Sequence, residues 1–98
     1  MITAEFRLKG KRFIGFTVSG HATRIVCASV TSAVNFVANA VSDIAAVKLK
    51  VGRGGTVGLS LAEDSDNGSF LIAQLASHLK LTAENSGGEV HVKYTQIK

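Results

Sequence analysis

The residues with the most chemical promise lie together in the stretch Ser19-Gly20-His21-Ala22-Thr23-Arg24-Ile25-Val26-Cys27. It carries a histidine in a glycine-marked loop and, six positions on, the only cysteine of the chain. A cysteine attacks as its thiolate, which is favoured where the unpaired N–H groups and dipole of a helix start face it. A nearby imidazole that takes up the thiol proton completes the minimum set for a cysteine hydrolase. Arg24 adds positive potential if it lies on the same side. The bland reading of the same residues is a small core cysteine in an apolar helix and a solvated loop histidine.

The elements that must position this pair follow from periodicity. Ile2, Ala4, Phe6 and Leu8 alternate with polar residues, and Ile14, Phe16 and Val18 do so again beyond Gly10, which predicts a hairpin. A two-residue loop at Gly10-Lys11 would set Leu8 opposite Phe13 and turn Ile14, Phe16 and Val18 to the wrong face. A three-residue loop instead pairs Leu8 with Ile14, Phe6 with Phe16 and Ala4 with Val18, and is the expectation here.

From about Ile25 to Ile44 the spacing turns helical, with Val26, Val30, Ala33, Val34, Val37 and Val41 on one face. Ser32, Asn35, Asn39 and Ser42 line the other. An outer face with no charge is a candidate for cover by a second subunit.

Val47, Leu49 and Val51 turn at Gly52-Arg53-Gly54-Gly55 into Val57, Leu59 and Leu61, a second hairpin. A polar, acidic loop follows from Ala62 to Gly68. Ser69 is the expected cap of a helix with a buried stripe of Leu71/Ile72, Leu75, Leu79 and Ala83. After Gly87-Gly88, Val90, Val92 and Tyr94 form a last strand. The order β-β-α-β-β-α-β predicts an α+β two-layer sandwich, a mainly antiparallel sheet with two helices.

Gly20-His21-Ala22 followed by Ile25-Val26-Cys27-Ala28 resembles the signature of the ribosomal-processing cysteine protease family, often called Prp. The order of hairpin, Cys-bearing helix, second hairpin, acidic loop, leucine-rich helix and final strand is similar as well. The resemblance implies a catalytic dyad, His21 and Cys27, in an enzyme that removes the N-terminal extension of a bacterial large-subunit ribosomal protein. That extension ends at an aromatic residue. It also implies a homodimer, and it sets Thr31 where the family usually has a serine. The chain departs from the family at Arg24, where many members have an aspartate, and in the short loop from Ala22 to Val26.

Mechanistically, Cys27 would attack the scissile carbonyl while His21 carries the proton to the leaving amine. The oxyanion is expected on N–H groups at the helix start, that of Cys27 included. Glu63, Asp64 and Asp66 form a candidate substrate-binding cluster for a lysine- and arginine-rich ribosomal protein precursor, or else a solvated loop.

Composition removes other classes. A chain of 98 residues allows one domain, 1–98, and 46% hydrophobic against 18% charged residues is too apolar for disorder. One cysteine excludes a disulfide framework, and His78 and His91 show no ligand spacing, so no metal or cofactor is expected. The start lacks a signal-peptide layout. The charge-free stretch Ile25–Ser42 carries Ser29, Thr31, Ser32, Asn35, Asn39 and Ser42, which argues against a membrane span. The expected compartment is the cytoplasm. A net charge of +4 is modest for nucleic-acid binding, so contact with RNA is expected only indirectly, through the ribosome. The alternative function is a ribosome- or RNA-associated binding domain without catalysis, with Lys9, Lys11, Arg12, Lys48, Lys50 and Arg53 as a basic edge.

Overall fold

Alternation of apolar and polar residues builds β1 (Ile2–Lys9) and β2 (Arg12–Gly20) in a computed structural model that describes residues 1–97. Ala4 faces Val18 and Phe6 faces Phe16, as the shared-face requirement demands. The expected three-residue loop is not what achieves it. Lys9 opposes Arg12 across a two-residue turn, Gly10-Lys11, and Leu8 opposes Phe13. A bulge between Arg7 and Leu8 leaves Ile14 as the extra residue on β2. Two residues opposing one corrects the register by a single step, so a two-residue turn and a common apolar face coexist. Phe13, rather than Ile14, therefore packs against the core, its ring edge-on to Phe6 at 6.2 Å.

Helix α1 (Arg24–Ile44) follows, then β3 (Val47–Val51), a short 3-10 turn (Arg53–Gly55) and β4 (Val57–Leu61). Helix α2 (Asp66–Asn85) and β5 (Val90–Gln96) complete the order β-β-α-β-β-α-β. The strands lie as β3-β4-β2-β1-β5, antiparallel except for β1 and β5, which run parallel with Ile2 opposite Val90. The second hairpin has the expected register, Val47 with Leu61, Leu49 with Leu59 and Val51 with Val57.

Both helices cover one face of the sheet. Val30, Val34 and Val41 of α1 and Ile72, Leu75 and Leu79 of α2 join Phe6, Phe16 and Leu59 in one core. By length and composition α1 would pass for a membrane-crossing helix, yet here its valine stripe is packed in that core. The opposite face of the sheet is polar. Arg7 lies along it, donating to Thr17 Oγ1 at 2.8 Å and to the carbonyls of Phe16 and Leu59 at 3.2 Å. Gly15 leaves the room, because a Cβ there would stand 2.9 Å from the Arg7 guanidinium and 2.6 Å from the Leu59 carbonyl oxygen.

The start of α2 differs from expectation. Ser65, not Ser69, is the N-cap, its Oγ accepting from the Gly68 N–H at 3.0 Å, so the acidic loop is shorter and Asp66 opens the helix. Ser69 instead turns back to the first hairpin and accepts the Phe13 N–H at 2.9 Å.

Candidate active site

Strand β2 ends at Gly20, whose φ of +99° turns the chain out of the sheet. A side chain is sterically excluded there, since a Cβ would sit 2.1 Å from the Met1 carbonyl oxygen. His21, Ala22 and Thr23 then cross to α1. Thr23 is the N-cap residue, with extended backbone and no side chain capping the helix.

Cys27 is the first residue of α1 whose N–H finds a helical acceptor, the Thr23 carbonyl at 2.8 Å. The N–H groups of Arg24, Ile25 and Val26 precede it in the first turn and have no acceptor among the described residues. This corrects the expectation that the Cys27 N–H serves an oxyanion: that group is already spent in the helix, and three others are open. The Cys27 sulfur is half-buried. The Ala22 N–H donates to it at 3.1 Å, and the thiol faces the Ala22 carbonyl at 3.3 Å.

His21 is exposed, and among the described residues no hydrogen bond joins its ring to Cys27. The loop brings the two residues to the end of the sheet where Gly20 closes β2. Thr31 lies one turn beyond Cys27 and lines a cleft of about 260 Å³ with Val18, Val34 and Val57.

The acidic residues stand elsewhere. Asp66 and Asp64 hold Arg12 at 2.6 and 3.2 Å, and the Arg12 guanidinium is pushed up by the Asp66 hydrogen bond first and by the Asp64 charge. Glu63 accepts the Ala46 N–H at 3.2 Å. Arg12 opens β2 and Gly20 closes it, so the acids lie at the far end of that strand from Cys27, on the order of 25 Å away. The structure does not bring Glu63, Asp64 and Asp66 together with His21 and Cys27. Of the expected basic edge, Arg12 is held by Asp64 and Asp66, Lys48 and Lys50 are exposed on β3, and the Arg53 side chain lies outside the described residues.

The model of one protein family, described as cysteine protease Prp, matches residues 1–91. The chain belongs to the Prp cysteine protease family. Solved Prp structures share the fold over nearly the whole chain. The essential ribosomal processing protease Prp from S. aureus, with a covalently linked product peptide, aligns with a TM-score of 0.84 at 18% identity, covering 97% of this chain and 100% of that one. The same protease with a substrate peptide gives 0.82 at 16%, with coverage of 97% and 100%. SMU.848 from Streptococcus mutans gives 0.86 at 24%, with 99% of each chain covered. At these identities the likeness is one of fold. No curated protein matches the chain.

In this Prp family member one residue of the site region escaped the sequence reading. Glu89, just before β5, accepts the Thr23 N–H at 2.7 Å through one carboxylate oxygen and the Thr23 hydroxyl at 3.0 Å through the other. It is 66 positions away in sequence, and only the parallel pairing of β5 with β1 brings it beside the loop. The open amides of Arg24, Ile25 and Val26 were within reach of sequence rules, because every helix leaves its first N–H groups unpaired.

Proposed function

We propose that this cysteine protease is an endopeptidase that removes the N-terminal extension of a bacterial large-subunit ribosomal protein through Cys27 and His21. The observation that carries the reading is the place of the sulfur: half-buried in the first turn of α1, facing the Ala22 N–H, with His21 the next residue back along the chain.

Substrate binding brings the exposed His21 ring against the sulfur. His21 takes the thiol proton as Cys27 Sγ bonds to the scissile carbonyl carbon. The carbonyl oxygen, now an oxyanion, is met by open N–H groups of the first turn, from Arg24, Ile25 and Val26. His21 then gives its proton to the leaving amine as the C–N bond breaks, and water hydrolyses the thioester. The cleft beside Thr31, lined by Val18, Val34 and Val57, is the recess assigned in this reading to the aromatic residue that ends the extension. Glu63, Asp64 and Asp66 act on such a substrate only through their field, which salt screens over about 8–10 Å.

The reading includes a homodimer formed through the helical layer. Ile25 and Phe36 of α1 are 83% and 73% exposed, and a groove of about 470 Å³ runs beside Phe36 between α1 and α2. Apolar groups this open favour cover by a second copy. Ribosomal proteins are made in the cytoplasm, and the reading puts the enzyme there. The test is to mix the chain, and its Cys27→Ala form, with the extended ribosomal protein precursor. Clipping at the aromatic residue by the first and not by the second is the expected result; clipping by both or by neither overturns the proposal.

A further inference from the structure

We propose that Glu89 is a positioning residue for the reaction, the anchor that holds the His21–Thr23 loop in register with the Cys27 sulfur; this rests on the reading of Cys27 as the nucleophile. The loop has few residues and must do several things at once. It presents His21, sets the Ala22 N–H on the sulfur, and gives the Thr23 carbonyl to the Cys27 amide. Ala22 packs against the core, and among the described residues the one side-chain hydrogen bond of the loop runs from Thr23 Oγ1 to Glu89. The hold comes from Glu89.

The contact uses both carboxylate oxygens and both donors of Thr23. The Thr23 N–H and the Thr23 hydroxyl donate to separate oxygens at 2.7 and 3.0 Å. Hydrogen bonds to an ionised acceptor are roughly twice as strong as neutral ones, and a two-point contact fixes orientation as well as distance. From Thr23 the chain of contacts continues without a gap. Its carbonyl meets the Cys27 N–H at 2.8 Å, and the neighbouring Ala22 N–H meets the sulfur at 3.1 Å.

Glu89 is itself well placed to be a fixed point. Its backbone carbonyl accepts the Ile2 N–H at 2.8 Å, which locks it to β1. Gly87 and Gly88, with φ of +65° and +90°, form the turn that leads from α2 into this position. The carboxylate therefore refers the loop to the sheet rather than to another mobile segment.

Displacing a reacting group by about 1 Å can cost on the order of 10²-fold in rate. Glu89→Ala should therefore lower kcat by about ten-fold or more on the extended ribosomal protein precursor, with KM little changed. Glu89→Gln keeps one accepting oxygen and should fall between Glu89→Ala and the parent. The folded fraction of each preparation is first isolated by size exclusion and checked by circular dichroism, and the rate is expressed per thiol titrated in that fraction. A purely structural role would reduce the yield of folded protein and leave kcat per thiol unchanged. Thr23→Val provides a second route, since it removes the hydroxyl contact and keeps the N–H contact, and should give a smaller fall in kcat per thiol. Parent-level kcat per thiol in Glu89→Ala and Thr23→Val overturns the inference. Precursor clipping that survives Cys27→Ala overturns instead the nucleophile reading, and the two failures are read from different variants.

Discussion

The backbone N–H of Ala22 points at the sulfur of Cys27 from 3.1 Å, while the carbonyl of the same residue lies 3.3 Å from it. One residue thus meets both protonation states of the sulfur, the carbonyl accepting from the thiol and the N–H donating to the thiolate. The structure therefore keeps a nucleophile half-covered without sealing it in hydrocarbon.

Reactivity of that sulfur is the first measurable consequence. A chloromethyl ketone on a peptide ending in an aromatic residue, which fills the substrate site, should label Cys27 at pH 7, and His21→Ala should be labelled several-fold more slowly, because occupancy of the site is what brings the ring against the sulfur. Mass spectrometry of time-quenched samples follows this directly. Equal rates in the two proteins would separate His21 from Cys27.

In the cleavage assay, His21→Ala should lower kcat by about 10²–10⁴-fold, the range typical of losing a general base. Cys27→Ser should leave no more than a residual rate. The expected signature in both is a loss in kcat at nearly unchanged KM, measured under saturating precursor.

Gly20→Ala should destabilise the fold by about 1–3 kcal/mol, the usual cost of a strained backbone position. The φ of +99° disfavours any side chain, and the added carbon would meet the Met1 carbonyl oxygen, which is backbone and cannot swing away. A urea titration gives the free energy. Because relief requires the β1–β2 end to shift, cleavage should fall with stability.

Gly15→Ala tests the opposite face. The new methyl would crowd the Leu59 carbonyl and the Arg7 guanidinium, so a loss of about 1–3 kcal/mol is expected from overpacking. Arg7 is remote from the Cys27 loop, and kcat per titrated thiol should not change.

The two serines of the α2 start are distinguished by substitution. Ser65→Ala should cost about 1 kcal/mol through loss of the helix cap. Ser69→Ala should cost a similar amount for a different reason, leaving the Phe13 N–H without its acceptor. The double variant should be close to additive if the two contacts are independent, as urea denaturation would show.

Much of the fold could be read from the sequence because each strand that buries one face must alternate. Phe6, Phe16, Leu59 and Val90 announce themselves in that way. The hairpin loop could not be read, since a three-residue turn and a two-residue turn with a bulge give the same pairing at Phe6 and Ala4. The cap of α2 was misplaced for a related reason: Ser65, like Ser69, is a good cap residue before the same apolar run, and the structure gives Ser69 the Phe13 contact instead. At the candidate site, His21 and Cys27 could be proposed from sequence because they are close together on a recognisable loop and helix. Glu89 was not, because its partner is chosen by strand pairing across nearly the whole chain. The acids at Glu63, Asp64 and Asp66 read as a charge cluster, but sequence carries no measure of which end of the sheet they occupy.

The parallel pairing of β1 with β5 also sets an order of events during synthesis. A chain emerging from its own ribosome presents β1 and β2 early, with one edge of β1 open, and cannot cover that edge until residues 89–96 have been made. The carboxylate that anchors Thr23 arrives at the same moment. Sheet closure and loop anchoring are thus a single late step, and a nascent chain lacking that last strand would have its sulfur in place while the residues around it were still unmoored.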